Sequence, residues 1–330
     1  MTAVPKVSVE ILTYNHRPFI SKALESVLMQ RVSFDYEIVV GDDCSTDGTV
    51  DVLREYAQKC PVLHVVMRDR NIGPARNFTD ILRRLRGEYV AYLEGDDYWT
   101  DPDKLQLQVD YLDGHRGCAL VHHRVDKVLW PDDRIVGSWP PSRYRRERPS
   151  PEDLSRLNYI QTCALMFRRD LLPRLDDAYE QLTIGDWPLC VMLSQRGWIG
   201  FIDRVMAHYR LHQQNNWHQQ PPKTKLIAME AMAQYLTDHV CDESREQWRN
   251  MLVALGFADV LIAIRGRSLS ETRHTLKRVA ERARDFGKPL LGIGGLWGFC
   301  EQIFAIAFGD LYMKLRHWMA RLTGPTSACW

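Results

Sequence analysis

Glu94-Gly95-Asp96-Asp97-Tyr98-Trp99 follows Tyr89-Val90-Ala91-Tyr92-Leu93, an apolar run of β-branched and aromatic residues that predicts a buried strand. Two adjacent carboxylates at the end of such a strand repel each other and resist losing water. A cation between them and a polyanionic ligand relieves both costs. Hard oxygen donors in small number suit Mg²⁺ or Mn²⁺, which bind through one or two carboxylates plus substrate phosphates. The alternative is that one of the pair caps the next helix. Asp101-Pro102-Asp103-Lys104 already offers that cap, with Asp101 at the N-cap and Pro102 at the first helical position. Asp96 and Asp97 are thereby left for a ligand.

Upstream, the same strand-then-polar-cluster pattern recurs. Val7 to Leu12 reads as a strand closed by Thr13-Tyr14-Asn15-His16, and Glu37 to Val40 as a strand closed by Gly41-Asp42-Asp43-Cys44-Ser45-Thr46-Asp47-Gly48-Thr49. Val62 to Val66 leads into Arg70-Asn71-Ile72-Gly73-Pro74-Ala75-Arg76-Asn77. Helical periodicity fills the intervals, over about 17–30, from Val50 onward, and up to Leu85. Strands alternating with helices predict an α/β fold with a doubly wound parallel sheet. In such sheets ligands bind outside the carboxyl ends of the strands, where these clusters converge. One cluster alone is ordinary turn chemistry. The glycine-rich dinucleotide fingerprint and the P-loop are both absent.

The chain of 330 residues has 45% hydrophobic and 26% charged residues and a net charge of +1, so no global field recruits nucleic acid. Its eight cysteines lack metal-ligand spacing and the N-terminus lacks signal-peptide architecture, which predicts reduced thiols and a cytoplasmic location.

In order and spacing, Thr13-Tyr14-Asn15, Asp42 to Thr49, Asn71 to Asn77 and Glu94-Gly95-Asp96-Asp97 resemble the family-two inverting glycosyltransferases of GT-A fold, over about residues 5–215. The resemblance implies a GT-A type, Rossmann-like, doubly wound mixed sheet. It implies that Thr13 and Asn15 contact the nucleotide, Asp43 bonds the nucleobase and Arg76 approaches the nucleotide. It also implies that Asp97 holds the metal, with Asp96 nearer the ribose or sugar. The family's usual second motif has glycine where this chain has Cys44, which leaves that turn open.

Further on, Cys118 to His122 predicts a fifth strand, and residues 130–151, with five prolines, predict an irregular loop. Its Arg143, Arg145, Arg146 and Arg148 suit either a solvated loop or a flap over an anionic acceptor. Ile160 to Phe167 reads as a strand. Ile184-Gly185-Asp186-Trp187-Pro188 opens a helix, where a carboxylate is either a cap or, by resemblance, the catalytic base. Tyr209-Arg210-Leu211-His212 resembles the pattern that ends the family's catalytic domain. There Arg210 would bind phosphate and His212 would complete the metal shell, bind the diphosphate, or serve structurally. Trp217, in a polar boundary, offers a ring to stack on a sugar.

From about Lys223 the pattern turns helical, over roughly 223–238, 243–264 and 269–285. This predicts a catalytic domain over 1–217 and a helical region over 218–330. Pro289 to Gly309 carries one charge, Glu301, beside the basic stretch 265–288. That arrangement suits a segment lying in a membrane interface, or packing within the protein or against a second copy. The function expected is metal-dependent, inverting transfer of a hexosyl or related group. It would run from a nucleotide-diphosphate sugar to a saccharide or lipid-linked acceptor, in cell-surface polysaccharide biosynthesis. The alternative is a non-catalytic nucleotide-sugar or glycan-binding subunit of the same fold.

Overall fold

Runs of β-branched residues become strands here because the amphipathic segments between them return the chain to the same sheet edge. The computed structural model describes residues 4–213, 217, 220–265 and 269–286. The chain divides into two units, one of residues 1–154 and 158–215, the other of 155–157 and 216 onward.

The first unit begins β1 (Val7–Thr13), α1 (Ile20–Leu28), β2 (Tyr36–Asp42), α2 (Thr49–Lys59), β3 (Leu63–Met67), α3 (Pro74–Leu82) and β4 (Tyr89–Glu94). It continues β5 (Tyr98–Trp99), α4 (Lys104–Gly114), β6 (Cys118–Leu129), β7 (Arg134–Trp139), β8 (Met166–Arg168), α5 (Asp186–Ser194) and β9 (Trp198–Leu211). The sheet runs β3-β2-β1-β4-β8-β6-β9-β5, with β7 added on β6. β1 to β4 pair in parallel, while β8 inserts antiparallel between β4 and β6. β6 and β9 are parallel to each other. The sheet is therefore mixed, and the chain's first four strands make its parallel half. Every residue of β1 is buried, as expected for a central strand covered by helices on both faces.

Three local expectations are corrected. Residues 130–151 are not wholly irregular: Arg134–Trp139 forms β7, antiparallel to β6. The prolines bracket it, with Pro131 in the turn before and Pro140 just after, so none removes a ladder donor from within. Ile160 to Phe167 is not one strand, since Thr162–Ala164 is a 3-10 turn and pairing starts only at Met166. A short buried apolar run does not by periodicity distinguish the two. Asp101 does not cap α4, which begins at Lys104; its Oδ1 accepts the Asp103 N–H at 3.0 Å and its carboxylate pairs with Arg204.

Glu10 lies in the middle of β1, fully buried, with both carboxylate oxygens unpartnered. Burial raises its pKa well above the usual carboxylate value. An acid whose pKa is raised by folding binds more protons in the native state, so it contributes stability at low pH that is lost as pH climbs past its unfolded value. Glu10→Gln is therefore expected to melt increasingly above the native protein as pH rises from about 5 to 8. A constant difference in melting temperature across that range would contradict this.

The second unit contains α6 (Pro222–His239), α7 (Asp242–Arg265) and α8 (Leu269–Asp285). Buried Asp259 of α7 pairs with Lys223 and with Arg278, and Arg282 of α8 pairs with Glu230 of α6. Among the described residues no helix is long and apolar enough to cross a membrane. The apolar stretch 289–309 lies outside the described residues.

Candidate active site

Strand register decides which polar clusters meet. Thr13 is level with Asp42 across β1 and β2, and Leu12 is level with Glu94 across β1 and β4. The turn after β4 lies against the turn after β1. A Cβ on Gly95 would stand 2.9 Å from Thr13 Oγ1 and from His16 Nδ1, so glycine alone permits this approach.

The nucleotide-side residues brace one another. Asn15 is left-handed, with φ 57°; its N–H donates to Ser45 Oγ at 2.9 Å and its Oδ1 accepts from Thr46 N–H at 2.8 Å. Cys44 has φ 64°, the region glycine enters freely, which accounts for glycine being the usual residue there. The Asp43 carboxylate accepts the Ile72 N–H at 2.8 Å and the Gly73 N–H at 2.9 Å. It thereby holds the turn that opens α3, whose first turn carries exposed Arg76. Asp43→Ala is expected to weaken nucleoside diphosphate binding by roughly tenfold, because two backbone donors lose their acceptor and the loop loosens. Calorimetry with uridine, thymidine and guanosine diphosphates tests it; equal affinity for all three in variant and native protein would leave Asp43 a turn residue only.

Beyond β4, ligand atoms of Glu94, Asp96 and Asp97 lie within 4.8 Å of one another. Asp97 Oδ1 accepts the Arg210 N–H at 2.8 Å, whereas Oδ2 is buried without a partner. Burial and the neighbouring carboxylates push Asp97 and Glu94 well above the usual carboxylate range. Burial acts on Asp96 too, yet His16 and His212 hold it below its ordinary value. His212 Nε2 lies 3.0 Å from Asp96 Oδ2, and its ring packs on Phe19 with centroids 4.4 Å apart. Arg210 is buried: its Nη1 donates to the Asp96 carbonyl at 2.7 Å, and its guanidinium lies 4.3 Å from the Tyr98 ring and 3.6 Å from Asp133. Arg210 and His212 thus secure the acidic turn from β9. Three clustered carboxylates, of which Asp97 is buried with one orphaned oxygen, are a donor set that fits a hard divalent cation.

Asp186 is the first residue of α5. Its Oδ2 accepts from Asn158 Nδ2 at 3.1 Å and from Thr162 Oγ1 at 3.3 Å. Burial raises its pKa, and its charge is among those that raise Glu94. Asp186 therefore stands within electrostatic reach of the acidic cluster.

Sequence reasoning left Glu94, His16, Asp133, Asn158 and Thr162 without roles. Glu94 was legible, adjoining the acidic pair at a strand end; the others depend on distant chain segments. The arginine-rich stretch is tied down: Arg145 bonds the Pro140 carbonyl, Arg146 pairs with Asp153, and Arg148 lies over Trp198. Trp198 opens β9, whose other end carries Arg210. Trp217 belongs to the second unit.

A mixed nine-stranded sheet with acidic turns at the carboxyl ends of its parallel strands is the GT-A type of glycosyltransferase fold. The chain belongs to glycosyl transferase family 2, whose model matches residues 8–173. It is 39% identical over 213 residues to an uncharacterized protein of Mycobacterium tuberculosis strain H37Rv, covering 64% of this chain and 60% of that protein. This chain thus spans about 60% of the length of that relative. A poly(ribitol-phosphate) beta-glucosyltransferase of Bacillus spizizenii is 37% identical over 95 residues, 28% of this chain and 15% of that one. Among solved structures, S. aureus TarS in complex with UDP-GlcNAc superposes with TM-score 0.54 at 19% identity, covering 86% of this chain and 93% of that chain. A mannosyltransferase from Pyrobaculum calidifontis in complex with GDP-Man and Mn²⁺ gives 0.53 at 18% identity, covering 98% and 86%. At these identities the likeness is one of fold.

Proposed function

We infer that the chain transfers a sugar from a nucleotide-diphosphate donor to an acceptor hydroxyl, with inversion at the anomeric carbon. The observation that carries this reading is one sheet edge bearing both kinds of carboxylate. Glu94, Asp96 and Asp97 cluster around an unpartnered oxygen, while Asp186 is held separately by side chains. Family membership supports it, as do fold neighbours in complex with UDP-GlcNAc and with GDP-Man and Mn²⁺. The Bacillus spizizenii relative supports a place in cell-surface polysaccharide synthesis.

In this reading Thr13, Asn15, Asp43 and Arg76 line the nucleotide side. Asp97, with Asp96 and Glu94, would hold Mg²⁺ or Mn²⁺, which when bound offsets the charge of the diphosphate leaving group. His212 keeps Asp96 in place, and Arg210 keeps Asp97 in place through its backbone N–H. Asp186 takes the proton of the acceptor hydroxyl as its oxygen attacks the anomeric carbon, and the bond to the diphosphate breaks with its electron pair going to the leaving oxygen. One displacement inverts the configuration.

The test is release of nucleoside diphosphate from a panel of UDP-, GDP- and dTDP-sugars with Mn²⁺, with and without glycan acceptors. Release from one donor that stops with EDTA and returns with Mn²⁺ is expected, and the product should carry the opposite anomeric configuration by NMR. Tight donor binding with no release under any acceptor would reduce the chain to a binding subunit.

A further inference from the structure

A carboxylate in the first helical turn has an ordinary use, accepting backbone N–H groups of that turn. Asp186 has more than this. Two side chains reach the same oxygen, Oδ2, from 28 and 24 residues earlier in the chain. Thr162 opens the 3-10 turn that leads into β8 and Asn158 precedes that turn, and both hydrogen bonds fall on Oδ2. A carboxylate demands a donor, so the Asn158 amide is oriented with Nδ2 toward it and Oδ1 away, where it is buried unpartnered. The backbone around Asp186 is pinned as well. Fully buried Tyr179 donates its hydroxyl to the Gly185 carbonyl at 2.7 Å, and the Trp187 indole donates to the Leu154 carbonyl at 2.8 Å. A helix cap requires none of these contacts.

We propose that Asn158 and Thr162 are positioning residues for the base: by holding Oδ2 they fix the plane in which the Asp186 carboxylate receives the acceptor's proton. The proposal rests on the reading of Asp186 as base. A general base works only with its lone pair within about 3.2 Å of the proton it takes, so a carboxylate free to rotate spends much of its time misaligned. The clamp also acts on charge. Burial pushes the Asp186 carboxyl up, and hydrogen bonds from the Trp187 N–H, Asn158 and Thr162 pull it back toward the ionised form that a base requires. The titratable groups that feel its charge are Glu94 and Tyr92 of β4 and Cys190 of its own helix.

Thr162→Val keeps the shape and removes the donor; Thr162→Ser keeps the donor. On the full chain, Thr162→Val is expected to lower kcat for nucleoside diphosphate release by roughly tenfold, with the donor KM unchanged. It should also move the acid limb of the pH profile to higher pH, since a carboxylate stripped of a donor ionises later. Thr162→Ser should restore both, and Asn158→Ala should act in the same direction as Thr162→Val. Titration of the ¹³C-labelled Asp186 carboxyl, assigned by its loss in Asp186→Asn, reads the same shift without turnover. A Thr162→Val protein with native kcat, pH profile and carboxyl titration would overturn the clamp while Asp186→Asn still abolishes release. Undiminished release by Asp186→Asn would instead remove the base, and the clamp with it.

Discussion

Asp97→Asn is expected to abolish divalent-dependent binding of a nucleoside diphosphate while the chain stays folded. Two features of Asp97 separate these effects. Its Oδ1 accepts the Arg210 N–H, and the amide oxygen of asparagine can keep that bond. Its Oδ2 is buried without a partner beside Asp96, and there the substitution puts an NH₂ group, which cannot ligate a cation. Changes outside a metal's own ligands already cost about 10–100-fold in affinity, so loss of a ligand should cost at least roughly 100-fold. Calorimetry with UDP or GDP and Mn²⁺ measures it, and unchanged affinity would remove Asp97 from the metal reading. Stability should move the other way. Burial and Asp96 raise the Asp97 pKa on folding, so its contribution is fully present at low pH and is lost as pH rises through the raised value. In EDTA at neutral pH the variant should therefore melt no lower than the native protein, and higher as pH rises.

Asp186→Asn should separate chemistry from binding. Asparagine caps a helix about as well as aspartate, and its amide oxygen can still accept from Asn158 and Thr162, so the melting temperature should hold. Donor affinity should hold too, because the nucleotide-side residues lie at the ends of β1 and β2 and at the start of α3. Transfer should fall by roughly 10²–10⁴-fold, the usual worth of general base catalysis. If Asp186 serves only as a cap, Asp186→Asn is nearly silent and Asp186→Ala costs about 1 kcal/mol of stability. Steady-state release and a thermal melt on both variants distinguish the two outcomes. Near-normal turnover in a well-folded Asp186→Asn protein would take it out of the mechanism.

The fold class was legible because its signal is local. Apolar runs such as Val7 to Leu12 and Tyr89 to Leu93, each ending in a polar turn, need no knowledge of distant residues, and the handedness of parallel connections then limits the sheet. By that means the sequence alone placed Thr13, Asp43 and Asp97 on one edge. Local reading failed where two structures share one pattern: it missed β7 between its prolines, put a strand where Thr162–Ala164 turns, and gave Asp101 a cap it does not make. What only the tertiary structure decided is which group each carboxylate faces. Asp97 meets Arg210 across 113 residues, Asp96 meets His212 across 116, and Asp186 meets Asn158 across 28. The first two meetings follow from β5 pairing antiparallel with β9, which sets Tyr98 level with His208, and the sheet is closed by β8 entering antiparallel between β4 and β6. Strand order and register are properties of the whole packed sheet, set by the burial of every strand at once, and no single stretch of sequence carries them.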